Sequence, residues 1–261
     1  MVIYFNAFYE PSRLADHMLT SGLLSAFAAR DMALFPPLNI SEDAESVVIR
    51  ALIPGATLND VEIMGYARTL SIKSELVPIK GSYSLQERPV GRFQRLVDLG
   101  FEPDPELISA GMKNGVLRIV LSKPGRASGR RSSIHKDTAA ANPAGRVRSC
   151  GGRDVVRPTM DVIEREEGFF LYLNLPGVEK SELSVESLSR ELVVDGCTSY
   201  GLEGCERLHN LEFSDVHYHG KFTLPEDIDR GAIKAELRDG VLAVFMPRRV
   251  REPERIVIKV T

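Results

Sequence analysis

Five side chains in the second half of the sequence could hold a metal ion or act in thiol chemistry. They are Cys197, Cys205, His209, His217 and His219. Zinc accepts thiolate and imidazole ligands, and His217 and His219 would point the same way on a strand. However, Cys-x7-Cys-x3-His is not an established ligand spacing, and there is no Cys-x2-Cys pair. We therefore expect dispersed surface or core residues and no metal, with a zinc site as the alternative.

Signatures of catalysis are absent from the sequence. Nothing orients an imidazole beside a cysteine, as nucleophilic catalysis by such a pair requires. There is no glycine-rich phosphate loop followed by Lys-Ser or Lys-Thr, no dinucleotide fingerprint and no Gly-x-Ser-x-Gly elbow. We expect neither enzymatic activity nor a cofactor.

The composition is that of an ordinary globular protein. The chain has 261 residues, of which 43% are hydrophobic and 26% charged, with a formal net charge of -3. No apolar run approaches the roughly 20 residues of a membrane-spanning helix, and the first residues lack the features of a secretory signal. Three cysteines are an odd, low number, which argues against a disulfide scaffold and favours a cytoplasmic location.

A basic segment, residues 125–157, divides the chain. It holds eight basic and two acidic residues and is rich in Gly, Ser and Ala. Such a segment cannot bury enough apolar surface to offset its chain entropy, so we expect a flexible linker. The alternative is an arm that binds nucleic acid or an acidic surface, although the net charge of the whole chain does not favour nucleic acid.

The chain contains two copies of one plan, with matching residues 122 positions apart at first and 125 positions apart later. The matches are 39–42 with 161–164, Pro54-Gly55 with Pro176-Gly177, 61–63 with 183–185, and 114–117 with 239–242. So many matches in one order predict a tandem duplication.

Each copy has the pattern of an antiparallel β-sandwich. Short apolar runs such as 47–52 and 169–174 are typical of strands in a sandwich core. Asn114-Gly115 and Asp239-Gly240 predict tight turns, because these residues tolerate positive φ. The sequence thus predicts an all-β protein, with two tandem immunoglobulin-like antiparallel β-sandwiches and a short N-terminal helical segment. Its expected parts are an apolar arm (1–37), a first domain (38–124), the linker (125–157), a second domain (158–248) and a tail (249–261).

Motifs in both copies resemble those of the α-crystallin domain, the core of the small heat-shock proteins. They are Ala110 with Gly115-Val116-Leu117, Ala235 with Gly240-Val241-Leu242, the Glu-Arg-x-x-Gly-x-Phe-x-Arg segment at 87–95, Leu-Pro-Gly-Val at 175–178 and Phe-x-Leu-Pro at 222–225. Each motif is weak alone, but their order and their spread over both copies identify the chain as a member of this family.

The resemblance implies a chaperone that holds partly unfolded client proteins in solution without ATP. It implies homo-oligomers and hand-off of clients to ATP-dependent chaperones, with no membrane or nucleic-acid partner. Such a chaperone needs protected apolar surface, a reversible lock on that surface and a multivalent assembly. The alternative is an adaptor for one defined folded partner, because similar sandwiches occur in co-chaperones.

The tail supplies a candidate lock, since Ile256 and Ile258 match the family's Ile-x-Ile motif and lie on one side of an extended strand. By resemblance they dock in a groove at a sheet edge. The candidate groove residues are Val61, Ile63, Ile108 and Ala110 in the first unit, and Leu183, Val185, Ile233 and Ala235 in the second. The alternative is that residues 255–260 form a last strand of the second sandwich.

The N-terminal arm is the candidate for client binding. Ser12 could cap a helix from Arg13 to about Arg30 with an apolar side. Candidate client-binding residues are Phe5, Phe8, Leu14, Met18, Leu23, Leu24 and Phe27. The alternative is that the helix packs on its own sandwich.

A long loop in each unit is the candidate for pairing. In bacterial members of the family, a strand in this loop pairs with a partner subunit. The resemblance implies this role for Tyr83, Leu85, Glu87 and Arg88. The second unit has Phe213 in place of Arg88, and its residues 216–220 depart from the family pattern, so the motif gives no support for exchange by that unit. Pairing within one chain and pairing between chains are both open.

Overall fold

The structure is a computed structural model, which describes residues 5–6, 35–123, 150–201 and 207–249. The expected helix of the arm, Cys205 and the Ile-x-Ile motif lie outside the described residues. Within these ranges the chain forms β-strands and short 3-10 turns, and no α-helix. No helix of the described part is long and apolar enough to cross a membrane.

The elements of the first unit, together with the residue pair described near the start of the chain, are β1 (Phe5–Asn6), β2 (Leu38–Glu42), β3 (Ser46–Leu52), a 3-10 turn (Leu58–Asp60), β4 (Val61–Tyr66), β5 (Thr69–Leu76), β6 (Ser82–Gln86), β7 (Gly91–Asp98), a 3-10 turn (Pro105–Leu107), β8 (Ile108–Lys113) and β9 (Val116–Ser122). Those of the second unit are β10 (Asp154–Val156), β11 (Met160–Arg165), β12 (Gly168–Asn174), β13 (Val178–Leu188), β14 (Glu191–Thr198), β15 (Arg207–Leu211), β16 (Val216–Thr223), a 3-10 turn (Arg230–Ala232), β17 (Lys234–Arg238) and β18 (Val241–Pro247).

Each unit is a sandwich of two sheets, and each lends one strand to the other. The first sandwich has the strand orders β1-β7-β5-β4 and β15-β2-β3-β9-β8. The second has the orders β10-β16-β14-β13 and β17-β18-β12-β11-β6. All pairings are antiparallel except that of β10 with β16. This architecture confirms the predicted pair of tandem β-sandwiches and adds a reciprocal exchange of β6 and β15.

Alternating residues of the strands build a separate hydrophobic core in each sandwich. On β9, Leu117 and Ile119 are fully buried and Leu121 is 1% exposed, as the period of two requires. The corresponding strand β18 buries Leu242, Val244 and Met246 in the second core. Each such side chain contributes roughly 1.5–3 kcal/mol when fully buried.

The second sandwich begins earlier than its apolar pattern indicated. The composition predicts a linker over residues 125–157, but β10 lies in the last part of this range and pairs with β16. A disulfide also joins Cys150 to Cys197 on β14. Composition missed β10 because all three of its residues are exposed. The odd number of cysteines did not predict this disulfide. Cys150 and Cys197 are 47 residues apart in the sequence, and only the fold brings them together.

Candidate functional site

The interface between the two sandwiches is built on reciprocal backbone contacts. The Gly55 N–H donates to the Asp239 carbonyl at 2.8 Å, and the Gly177 N–H donates to the Asn114 carbonyl at 2.8 Å. Both donors follow a proline in the repeat, and both acceptors begin a tight turn at positive φ. The motifs that mark the duplication in the sequence therefore meet where the two units join.

Strand β6 crosses from the first unit to the second and extends its sheet. It pairs antiparallel with β11, with Leu85 opposite Val162 and Tyr83 opposite Ile163. Residues 87 and 88 follow directly and contact the second unit. The four candidate residues of this loop thus lie together at the interface, within a single chain.

Strand β15 makes the same crossing in the opposite direction. It pairs antiparallel with β2, with Leu211 opposite Asn39 and Leu208 opposite Ser41, and has its bulge at the position that matches the bulge of β6. The lack of motif support for exchange by the second unit was therefore misleading. The pairing is made by main-chain groups, which tolerate different side chains.

A buried side chain at the start of each receiving strand anchors the exchanged segment. Asp161 Oδ1 accepts hydrogen bonds from the N–H groups of residues 87 and 88 at 3.1 and 3.0 Å. At the matching position, Asn39 Oδ1 accepts from the N–H groups of residues 212 and 213 at 2.9 and 3.2 Å. Asp161 is 1% exposed and Asn39 is fully buried. Each anchor therefore accepts hydrogen bonds from two main-chain N–H groups that would otherwise be buried without a partner.

The first anchor is charged and meets a cation. Asp161 Oδ2 makes no hydrogen bond, and the Arg88 Nη1 atom lies 3.6 Å from it. Arg88 is itself held by Asn174, whose Oδ1 accepts from Nε at 2.7 Å. Burial lowers the pKa of Arg88, although Asp161 beside it acts in the opposite direction. The loop of the first unit therefore carries a buried charge that the second unit neutralises.

The second anchor is neutral and meets an apolar residue. The loop that reaches Asn39 carries Phe213 in place of an arginine, and its ring packs edge-on against Tyr200 with 4.8 Å between centroids. Pairing a unit with its own copy would set Arg88 beside Asn39, or Asp161 beside Phe213. Either combination would bury a charge without an opposite charge, which is costly. The two units therefore fit each other better than either fits itself.

Arg95 contributes a second buried charge pair, which sequence reasoning missed. Its side chain is 1% exposed, and Nη2 lies 2.9 Å from Glu212 Oε1 of the second unit. Nη1 donates to the Pro36 carbonyl at 3.1 Å, while Glu212 Oε2 accepts from the Leu38 N–H at 2.7 Å. Arg95 closes the motif segment 87–95, so the motif supplied a signal for it. Glu212 stands in the repeat where the first unit has Glu87, so the duplication supplied a signal that the sequence reasoning did not use.

The predicted groove residues lie on or beside strands that end a sheet within the described ranges. β4 and β8 end the two sheets of the first sandwich, and β13 and β17 end those of the second at this side. Partly buried groove residues that pack on the cores are Val61, Ile63, Ile108, Leu183, Val185 and Ile233. Ala110 and Ala235 are exposed. The side chains of Ile256, Ile258 and the candidate client-binding residues of the arm lie outside the described residues, and for residues 1–34 only the pairing of β1 with β7 is described.

The described members of the predicted set, Cys197 and the three histidines, do not form one cluster. His209 contacts Glu42 across the interface, and Cys197 is bonded to Cys150. His217 and His219, in contrast, share one face of β16, and both contact Asp195 of β14 (2.9 and 2.8 Å). The sequence analysis did not predict Asp195, because residues that become neighbours across two strands show no pattern in the sequence around either one.

A cleft of about 400 Å³ opens between the sandwiches beside Arg88. Both units line it, with Leu76, Val77, Ile79 and Pro89 from the first and Tyr172 and Ala243 from the second. Only the paired arrangement creates this surface.

Comparison with known proteins places these features in one family. The family model described as Hsp20/alpha crystallin family matches the chain twice, at residues 39–135 and 161–261. The first match spans the chain from β2 to β9 and the second from β11 to β18, so each covers one copy of the duplicated plan.

Individual relatives match one unit at a time. A probable 15 kDa heat shock protein of Leptospira interrogans is 30% identical over 106 residues, which are 40% of this chain and 80% of that protein. A 16.9 kDa class I heat shock protein of Triticum aestivum is 35% identical over 39% of this chain and 70% of its own length. The solved structure of hspA from Xanthomonas axonopodis is 32% identical, with a TM-score of 0.33, over 36% of this chain and 94% of that one.

We predict strong thermodynamic coupling between Arg88 and Asp161. R88F leaves the buried Asp161 without a cation, and D161N leaves Arg88 without an anion. Each change should lower the free energy of unfolding by about 3–5 kcal/mol. The double variant R88F/D161N reproduces the neutral pair of the other crossing and should be more stable than either single variant. Chemical denaturation of the four full-length chains measures this coupling.

The exposed pair Arg92–Glu75 is the matched control, because its side chains are 74% and 53% exposed. The same cycle there should give a coupling below about 1 kcal/mol. A coupling at Arg88–Asp161 no larger than that of the control would contradict the assignment of this pair to the interface.

Proposed function

This chain belongs to the Hsp20/alpha crystallin family of small heat-shock proteins, and we propose that it is an ATP-independent holdase. In this proposal it binds partly unfolded proteins through apolar surface, prevents their aggregation and passes them to ATP-dependent chaperones. The proposal places it in the cytoplasm.

The observation that carries the proposal is that the internal exchange covers one set of sheet edges, while another set has no neighbouring strand among the described residues. β2 and β11 are paired by the exchanged strands, whereas β4, β8, β13 and β17 remain at edges. An edge strand offers unpaired N–H and C=O groups to an extended segment of another chain. Ile63 and Ile108 supply apolar surface between two of these edges. Unfolding proteins present the extended apolar segments that such a surface fits.

Exposed apolar side chains on β4 enlarge the surface available to clients. Met64 is 41% exposed and Tyr66 is 84% exposed. Both lie on the outer face of the strand, because Val61 and Ile63 face the core. A flexible thioether and a large ring suit varied partners. In the proposal the arm adds further client-binding side chains: Phe5, Phe8, Leu14, Met18, Leu23, Leu24 and Phe27.

The tail acts as the reversible lock. Docking of Ile256 and Ile258 in a groove would contribute roughly 3–6 kcal/mol before the cost of ordering the tail. Contacts of that strength release when a client competes. Two grooves and one tail leave one groove for another segment.

Homo-oligomers would then form from chains in which the two units are already paired with each other. Both exchanged strands pair within one chain. In the proposal, the tail and the arm therefore make the contacts between chains. Several copies joined in this way offer many weak sites to one client, which raises the overall affinity.

We predict that the full-length chain suppresses the heat-induced aggregation of a model protein at a near-stoichiometric ratio without nucleotide, as followed by light scattering. M64S/Y66S should suppress less, because exposed apolar area is lost from β4. V155S is the matched control, since Val155 is 65% exposed on β10, away from the grooves. No suppression by the soluble chain would contradict the proposal. Saturable binding to one native protein, with no affinity for unfolded ones, would favour the adaptor function.

Loss of the lock should shrink the assembly. I256A/I258A is expected to lower the mass measured by light scattering, because two buried isoleucines are removed from a contact between chains. A110E and A235E each place a charge in one groove without disturbing a core, because both alanines are exposed. One of the two should reproduce the smaller mass and thereby identify the groove that holds the tail. An unchanged mass in I256A/I258A would exclude tail docking.

A further inference from the structure

A compact group of metal-ligating side chains lies on the outer face of the second sandwich. Leu192 and Val194 of β14 enter the core, so Asp195 and Cys197 at alternate positions face outward. In the register of β14 with β16, Asp195 lies opposite His219 and Cys197 lies opposite His217. Directly opposed residues of an antiparallel pair have neighbouring side chains on one face. The fold thus gathers four donors from two strands.

The donor atoms of three of these side chains are already close together. Asp195 Oδ1 lies 2.9 Å from His217 Nε2 and 2.8 Å from His219 Nδ1. One ligand atom from each residue falls within 4.8 Å of the others. The three side chains are 25–34% exposed, so an ion from solvent can reach them.

Cys197 is the fourth donor, and its chemistry depends on the redox state. It is 4% exposed and bonded to Cys150, with 5.8 Å between the Cα atoms. A cellular dithiol can reduce this bond. Two electrons and two protons pass to Cys150 and Cys197, which become thiols, and the dithiol becomes a disulfide. The released thiol of Cys197 then stands beside the imidazole of His217, opposite it in the register.

We propose that the reduced chain binds one Zn²⁺ through Asp195, His217, His219 and the Cys197 thiolate, and that the disulfide withholds the fourth ligand. A carboxylate, two imidazoles and a thiolate form a donor set that zinc takes in tetrahedral geometry. Binding releases the thiol proton of Cys197 to solvent. The chain then has two alternative cross-links. In the oxidised chain the disulfide joins Cys150 to β14. In the reduced chain zinc joins β14 to β16, and Cys150 carries a thiol.

Zinc titration of the full-length chain tests the proposal, with Zn²⁺ alone as the probe and a chromophoric chelator as competitor. We expect one Zn²⁺ per chain under a phosphine reductant, and at least a tenfold weaker affinity in the oxidised chain. H217A, H219A, D195N and C197S should each weaken binding to the reduced chain at least tenfold. Co²⁺ in place of Zn²⁺ should give a thiolate charge-transfer band that C197S removes.

C205S and H135A are the matched controls, because they remove a thiol and an imidazole from elsewhere in the sequence and should leave the affinity unchanged. Far-ultraviolet circular dichroism verifies that each variant is folded. Three results would overturn the proposal: no binding by the reduced chain, equal affinities of the reduced and oxidised chains, or loss of binding in C205S but not in C197S.

Discussion

Main-chain hydrogen bonding across the two exchanged strands is the interaction on which the rest of the structure depends. β2 and β11 each need a neighbour to cover their outer edge, and each obtains it from the other unit. Each sandwich is completed by a strand of the other unit, so the two units form one structural whole. The linker keeps the two units at a high effective concentration, which favours pairing within the chain. The buried anchors Asn39 and Asp161 then fix where each exchanged strand ends.

The exchange of strands divides the sheet edges into paired and unpaired sets. The edges paired by the internal exchange are unavailable to other chains, whereas β4, β8, β13 and β17 have no further neighbour in the part of the chain that the structure describes. The two units differ at the crossings. An ion pair, Arg88–Asp161, serves one crossing, and a neutral combination serves the other. The outer face of the second sandwich, away from both crossings, carries the histidines, the carboxylate and the disulfide as a separate site.

Local patterns in the sequence predicted the strands and turns well. They did not predict contacts between residues that are far apart in the sequence. The period of two along β9 and the turn at Asn114-Gly115 are local, so the strands and the sandwich architecture followed from them. The pairing of Arg95 with Glu212 spans 117 positions, and no residue near either one signals the other. The same holds for Asp195 and the two histidines. Exchange by the second unit was missed because backbone pairing does not need the motif side chains.

The most direct test of the account asks whether the exchange occurs within one chain. L85C/V162C, in a background with the native cysteines replaced by serine, joins two residues that lie opposite each other across the first crossing. Isotopically light and heavy chains are unfolded together, refolded as a mixture and oxidised, and the cross-linked peptides are weighed by mass spectrometry. The account predicts only light–light and heavy–heavy pairs. An abundant light–heavy pair would show that the units exchange strands between chains and would contradict it.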